Sequence, residues 1–258
     1  MNELITEILK DHKGEVIFSC FGIWHILMMI LIFGGIILTV YLLGKRRSTQ
    51  INSITITIVI VIDIVFGLYI LDFFLMPLSY GYIDIEKLPF HVCTASCVLC
   101  FLSNHTNFFK KFKQQFALIG LASNLIYVIY PAGVGWYQIA PYSYRVIQTL
   151  MFHGLMVLYG VLVLRFDVNR LSLKESYKEL LVIMAMTIWA MIGNFIYNSP
   201  DRVYNWMFVV QDPFYMLPSN IAPFVMPLVI IATLYLAVIL VYLLFIIIRK
   251  IKYRSLDA

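Results

Sequence analysis

Seven apolar stretches separated by short polar loops, with basic residues gathered in every second loop, restrict this chain to one class of fold. A run of about 20 apolar residues is what an α-helix needs to cross a bilayer. An unpaired backbone N–H or C=O in hydrocarbon is too costly, so such spans must be helical. The sequence therefore predicts an all-α, polytopic bundle of seven transmembrane helices in one transmembrane domain, residues 1–258. The spans are expected at about 18–43, 52–78, 88–104, 112–130, 143–165, 177–198 and 222–248. The third is the shortest and least hydrophobic.

Loop charge orients the bundle. Lys45, Arg46 and Arg47 follow the first span, and Lys110, Lys111 and Lys113 the third. Arg165, Arg170, Lys174 and Lys178 follow the fifth, and Arg249, Lys250, Lys252 and Arg254 lie at or beyond the end of the seventh. These are 14 of the 19 basic residues. The positive-inside rule then predicts an outer N-terminus and a cytoplasmic C-terminus, as in a multi-pass protein of the cell membrane. The first 17 residues are mixed and acidic, so the first span reads as a retained signal-anchor and not a cleaved signal.

Composition agrees: 62% of residues are hydrophobic, 13% are charged, and the mean hydropathy is +0.88. Soluble domains carry roughly 25% charged residues. The net charge of +5 belongs to the loops, so it does not point to a nucleic-acid partner. The richness in Ile, Lys, Tyr and Phe suggests a low-GC bacterium.

Polar groups inside the spans are the functional signal, because each is costly in lipid. With the predicted orientation they fall mostly in the outer half: His25; Asp63 and Asp72; His91, Cys93 and Thr94; Ser123 and Asn124; Gln148 and His153; Asn194 and Asn198. Pro89 suits a first helical turn, which would place His91 in that turn near the positive end of the helix dipole. That setting favours a neutral, basic imidazole. His91 and Cys93 would lie roughly 200° apart around a helix axis, whereas His91 and Thr94 would share a face. Cys97 and Cys100 read as packing residues on a helix interface.

A neutral histidine beside a thiol or hydroxyl is the smallest acyl-transfer unit, a base with a nucleophile. Cys93 with His153 or His25, or Thr94 with His91, could supply it. Asn194, Asn198 or Gln148 could hold an oxyanion. His25 and Asp72 complete the expected substrate contacts. A membrane phospholipid or fatty-acyl lipid is the expected partner. No cofactor is expected, and no metal, because neither H-x-x-x-H nor H-x-x-E-H occurs.

Three segments carry a family resemblance. L-P-F-H-V-C-T-A-S at 88–96 resembles the signature opening the third helix of bacterial YwaF-type integral membrane proteins. Tyr130-Pro131-Ala132-Gly133 and Gln148-Thr149-Leu150-Met151-Phe152-His153-Gly154 fit the same family. The likeness covers roughly the second to seventh spans. It implies kinship with the eukaryotic transmembrane protein 164, an acyltransferase acting on ether phospholipids. It also implies a fold similar to the androgen-induced hydrolases of branched fatty-acid esters. In that clan a threonine or cysteine near the start of one helix works with a histidine on another, and His91 and His153 match best. The resemblance places the reactive cysteine just before the third-helix histidine, where this chain has Phe90. Cys93 or Thr94 would then substitute, or no covalent nucleophile is used.

Two further readings belong to other classes. An outer pocket lined by Tyr, Trp, Asn and Gln suits a small-solute binding or transport protein, although no inverted repeat is evident. Gly34-Gly35 and Gly120/Ala122 would suit a helix-packing partner. Trp24, Trp136 and Trp206 read as an aromatic belt. The long aromatic loop at 199–221 reads as an interfacial segment or lid.

Overall fold

A computed structural model describes residues 7–14, 16–45, 51–81, 83–135, 137–168 and 171–254. Arg46, Arg47, Arg170 and Trp136 lie outside the described residues, as do the side chains of Arg249, Lys250, Lys252 and Arg254. The principal helices are α1 (Ile23–Gly44), α2 (Ile51–Tyr80), α3 (Val92–His105), α4 (Lys113–Ile129), α5 (Tyr144–Leu162), α6 (Tyr177–Tyr197) and α7 (Ala222–Arg254). Among the described residues there is no strand, only one isolated bridge between Ser199 and Arg202. Six helices, all but α3, are long and apolar enough to cross a membrane. The 14 residues of α3 span about 21 Å at ~1.5 Å per residue, less than the hydrocarbon core of about 30 Å. The chain is a multi-pass membrane protein.

Local chemistry explains where the helices begin and end. α1 starts at Ile23, later than the expected 18, because Phe21 has a left-handed φ of 61° and the Gly22 N–H turns back onto the Ser19 carbonyl. α2 passes through Pro77 and stops at Gly81, whose φ of 73° lets its N–H reach the Pro77 carbonyl at 2.8 Å. α3 starts at Val92. Pro89 and Phe90 form a turn before it, and His91 is its extended N-cap residue (φ −76°, ψ 147°). The expectation that Pro89 and His91 occupy the first helical turn is thereby corrected. The Phe90 N–H is already bonded to the Leu88 carbonyl, so helical pairing begins only with Ala95 N–H to His91 O. α5 ends in a five-residue π-helical segment, Val163–Asp167.

The backbone falls into two compact units, residues 1–85 with 124–163, and residues 86–123 with 164–258. In the first unit α5 packs against α2 and α1. Phe18, Val134, Ile139, Val146 and Leu150 form a buried cluster beside it. The N-terminal segment is tied to the loop before α5: Phe18 N–H donates to Ile139 O, and Ala140 N–H to His12 O. Arg145 grips Asp11 through two nitrogens at 3.2 Å.

In the second unit α6 packs on α7, and a short turn of helix, Trp206–Phe208, packs against both. A buried polar tie joins three helices: Gln114 donates to the Tyr242 hydroxyl (2.8 Å), which donates to Glu179 (3.0 Å). Ser176 and Tyr235 share a hydrogen bond (2.8 Å), and Lys113 pairs with Asp167 (2.7 Å).

Candidate functional site

The first unit holds His153 on α5. It is 6% exposed and lies face to face on the Tyr127 ring, 3.8 Å between centroids. Its Nδ1 meets Asn124 Oδ1 at 2.6 Å. A carbonyl oxygen can only accept, so Nδ1 carries the proton and Nε2 keeps its lone pair. Stacking fixes the ring plane and the amide fixes the tautomer. The result is an oriented imidazole with a basic Nε2, as in the cysteine–histidine–asparagine arrangement of thiol enzymes. The sequence marked Asn124 as a polar residue inside a span but not as the partner of His153. The two lie 29 positions apart, so no local spacing joins them.

Other expected contacts in this unit are structural ties. His25 uses both ring nitrogens: Nδ1 accepts from Phe21 N–H (2.9 Å), and Nε2–H donates to Val128 O (2.9 Å). Asp72 is buried on α2 and accepts from the Tyr144 hydroxyl at the start of α5. Gln148 is half-buried and receives the Thr149 hydroxyl (3.4 Å). An open groove of about 430 Å³ is lined by Ile17, Phe18, Ser19, Cys20, Tyr130, Gly135 and Gln138, and His153 is not among them.

The second unit holds His91, Cys93 and Thr94. The Thr94 hydroxyl donates to the backbone carbonyl of His91 (3.1 Å), not to its ring, so the expected Thr94–His91 base pairing is corrected. The cause is the N-cap: an extended His91 leaves its carbonyl open to a hydroxyl three residues on. The His91 ring turns to the loop after α6. Its Nδ1 accepts the Met207 N–H at 3.3 Å, and the Phe208 ring lies 6.2 Å away. Cys93 is half-buried and hydrogen-bonds with the Ser123 side chain. Ser123 itself donates to Ile119 O at 2.9 Å, which leaves its oxygen to receive the thiol proton.

Asn194 and Asn198 do not face an open cavity with free amides. Asn194 is 2% exposed, donates to Trp206 O (3.1 Å) and accepts Trp206 N–H (3.0 Å). Asn198 does the same for Tyr204, at 3.2 and 2.6 Å. In this structure both amides hold the loop. An open groove of about 420 Å³ runs beside them, lined by Met191, Phe195, Val209, Val210 and Pro223 as well as the two asparagines.

The belt reading of Trp206 is also corrected. It is 1% exposed, and its indole N–H donates to Glu86 O (3.1 Å). Its ring lies 4.8 Å from Phe90, which also stacks on Trp189 (4.9 Å), and the Trp189 N–H donates to Pro89 O (2.9 Å). Phe90, which stands where the resemblance places a reactive cysteine, is therefore the packing centre that fixes the segment before α3. At the far end of the loop, Asp212 collects the N–H groups of Phe214, Met216 and Leu217. These bonds hold its carboxyl below the usual carboxylate range.

No curated protein and no solved structure matches the chain. The sequence profile of the TMEM164 family matches residues 20–250, which covers α1 to α6, the loop after α6 and most of α7. That match spans nearly the whole chain: this chain belongs to the TMEM164 family.

Proposed function

We propose that this protein transfers or hydrolyses acyl groups of lipid esters within the cell membrane, as a bacterial, YwaF-type member of its family. The observation that carries the reading is the 2.6 Å bond from His153 Nδ1 to Asn124 Oδ1. A buried imidazole held in the tautomer with an unprotonated Nε2 is built to take a proton. The acyltransferase activity implied by the resemblance, the membrane-spanning helices and the exposed apolar helix faces support a lipid as the reactant.

The roles we assign are His153, in the first unit, as a general base and Cys93, in the second, as the candidate acyl-accepting thiol. Thr94 is the other nucleophile candidate; its hydroxyl proton goes to the His91 carbonyl, as the Cys93 thiol proton goes to Ser123. A thiol is the better nucleophile once a base removes its proton. In the first step the sulfur bonds to the acyl carbon, the ester C–O bond breaks, and the thiol proton goes to the departing alkoxide. In the second step an acceptor hydroxyl or water, deprotonated by the base, bonds to the acyl carbon, the C–S bond breaks, and the proton returns to the thiolate sulfur. Gln148 is the polar contact assigned to the ester, and Asn194 and Asn198 act through the loop they hold.

The test uses the full chain in lipid nanodiscs containing a phospholipid with a radiolabelled acyl chain and a lysophospholipid acceptor. The expected result is transfer or release of the label in wild type. His153→Ala should cut it by roughly 10²–10⁴-fold, the usual contribution of a general base. An unchanged rate in a folded His153→Ala variant would contradict the assignment. Absence of turnover in folded wild type would favour the small-solute binding or transport reading instead.

A further inference from the structure

We infer that His91 is a fixed hydrogen-bond donor to the acyl carbonyl oxygen, and that Asn194 and Asn198 are the positioning residues that make it one by holding residues 204–207 against it. The reaction in this inference rests on the acyl-transfer reading above; the geometry does not.

Asn194, in the last turn of α6, and Asn198, its C-cap residue, are one turn apart and both reach the loop after the helix. Each side-chain amide pairs with both backbone groups of one loop residue, Trp206 and Tyr204 respectively. Four residues of helix rise about 6 Å, and two residues of extended chain rise roughly 6.6 Å. The two asparagines therefore act as two rungs of a ladder, and α6 serves as the neighbouring strand for residues 204–206. The rings reinforce the alignment, with Tyr204 and Trp206 stacked 4.7 Å apart at an interplanar angle of 3°.

Beyond the second rung the chain must turn sharply. Met207 and Phe208 have φ of 54° and 56°, a left-handed conformation that side-chain-bearing residues seldom adopt. The Asn194 rung and the Trp206 indole bond to Glu86 hold the chain in place on one side of that turn. The Asn205 side chain holds it on the other, by accepting the N–H groups of Val210 and Gln211. Between these anchors the Met207 N–H meets His91 Nδ1.

A backbone N–H can only donate, so Nδ1 of His91 must present its lone pair. A neutral imidazole has one ring proton, which then sits on Nε2. His91 Nε2 makes no hydrogen bond among the described residues. Such a ring cannot take a proton at Nε2, but it can donate one hydrogen bond there without prior reorganisation. That is the property wanted of a group facing a carbonyl oxygen that gains negative charge. His91 and His153 thus have opposite tautomers, and only His153 has a basic Nε2.

The experiment is ¹⁵N NMR of the full chain in nanodiscs with labelled histidine, of which there are 5. The His91 signals are identified by their loss in His91→Gln. The expected wild-type result is an unprotonated Nδ1 and a protonated Nε2. A protonated Nδ1 would overturn the donor assignment. In Asn194→Ser and Asn198→Ser the single tautomer should give way to a mixture. If the variants that remain folded keep the wild-type tautomer, the positioning role is wrong. Rates supply the functional arm, because the amide nitrogen of glutamine can stand in for Nε2–H. His91→Ala should lose roughly 10²–10³-fold, the usual effect of removing one such donor, whereas His91→Gln should stay within about tenfold of wild type. Equal losses in the two variants would overturn the donor role. If wild type shows no turnover, the acyl-transfer reading fails, while the tautomer spectrum still decides the geometry.

Discussion

Phe90 and Gly193 illustrate how much depends on single side chains. A Cβ added at Gly193 would lie 2.5 Å from Phe90 Cδ1, far inside contact distance. Phe90 cannot retreat, since Trp189 and Trp206 lie against it. Gly193→Ala should therefore destabilise the protein by about 1–3 kcal/mol, as overpacking generally does, and thermal unfolding in detergent would register the loss. The polar residues that matter could be picked out of the sequence as costly in lipid, but their partners could not. His153 reads the same whether its Nδ1 meets an amide or a backbone carbonyl. Asn194 and Asn198 read as pocket-lining donors, and nothing in the sequence shows that their amides also pair with Trp206 and Tyr204. Such pairings join residues on different elements, and no periodicity encodes them.

The elements themselves were far more legible. Each of the seven predicted segments corresponds to a helix, because an apolar run in lipid has no other way to satisfy its backbone. The errors lie at the ends, where Phe21, Gly81 and the turn through Pro89 and Phe90 act locally. α4, α6 and α7 are joined by the buried tie through Tyr242, which is fully buried. Tyr242→Phe would deprive Glu179 of a donor and Gln114 of an acceptor. It should cost about 1–3 kcal/mol in the same unfolding measurement, and an unchanged midpoint would argue against the tie. The loop tip offers a pH test. Asp212 titrates lower in the folded chain than in the unfolded one. Its contribution is therefore present above the unfolded value of about 3.9 and is lost as pH falls through the folded value. A fluorophore at Tyr215→Cys, a position 92% exposed, should lose anisotropy as pH falls through the lowered folded value of Asp212. With Asp212→Asn in the same chain that transition should vanish; the same profile in both would refute the carboxylate's role.

The molecule as a whole is organised for lipid. Its long helices expose large apolar side chains, Phe195 at 88% among them, where a soluble protein would place charge. Family membership and a multi-pass architecture follow from the sequence directly, since hydropathy and short motifs are local properties. The catalytic reading required the tautomers of two histidines, which are set by side-chain geometry alone. The central claim is that a histidine-activated nucleophile lies in the membrane-embedded part of the chain. The most direct measurement is the intact mass of the protein, in lipid, after exposure to a thiol-reactive lipid-like probe. One adduct per chain, retained in Thr94→Ala and lost or strongly slowed in Cys93→Ala, His153→Ala and Asn124→Ala, is the predicted result. Labelling that is indifferent to His153 and Asn124, or that persists without Cys93, would contradict it.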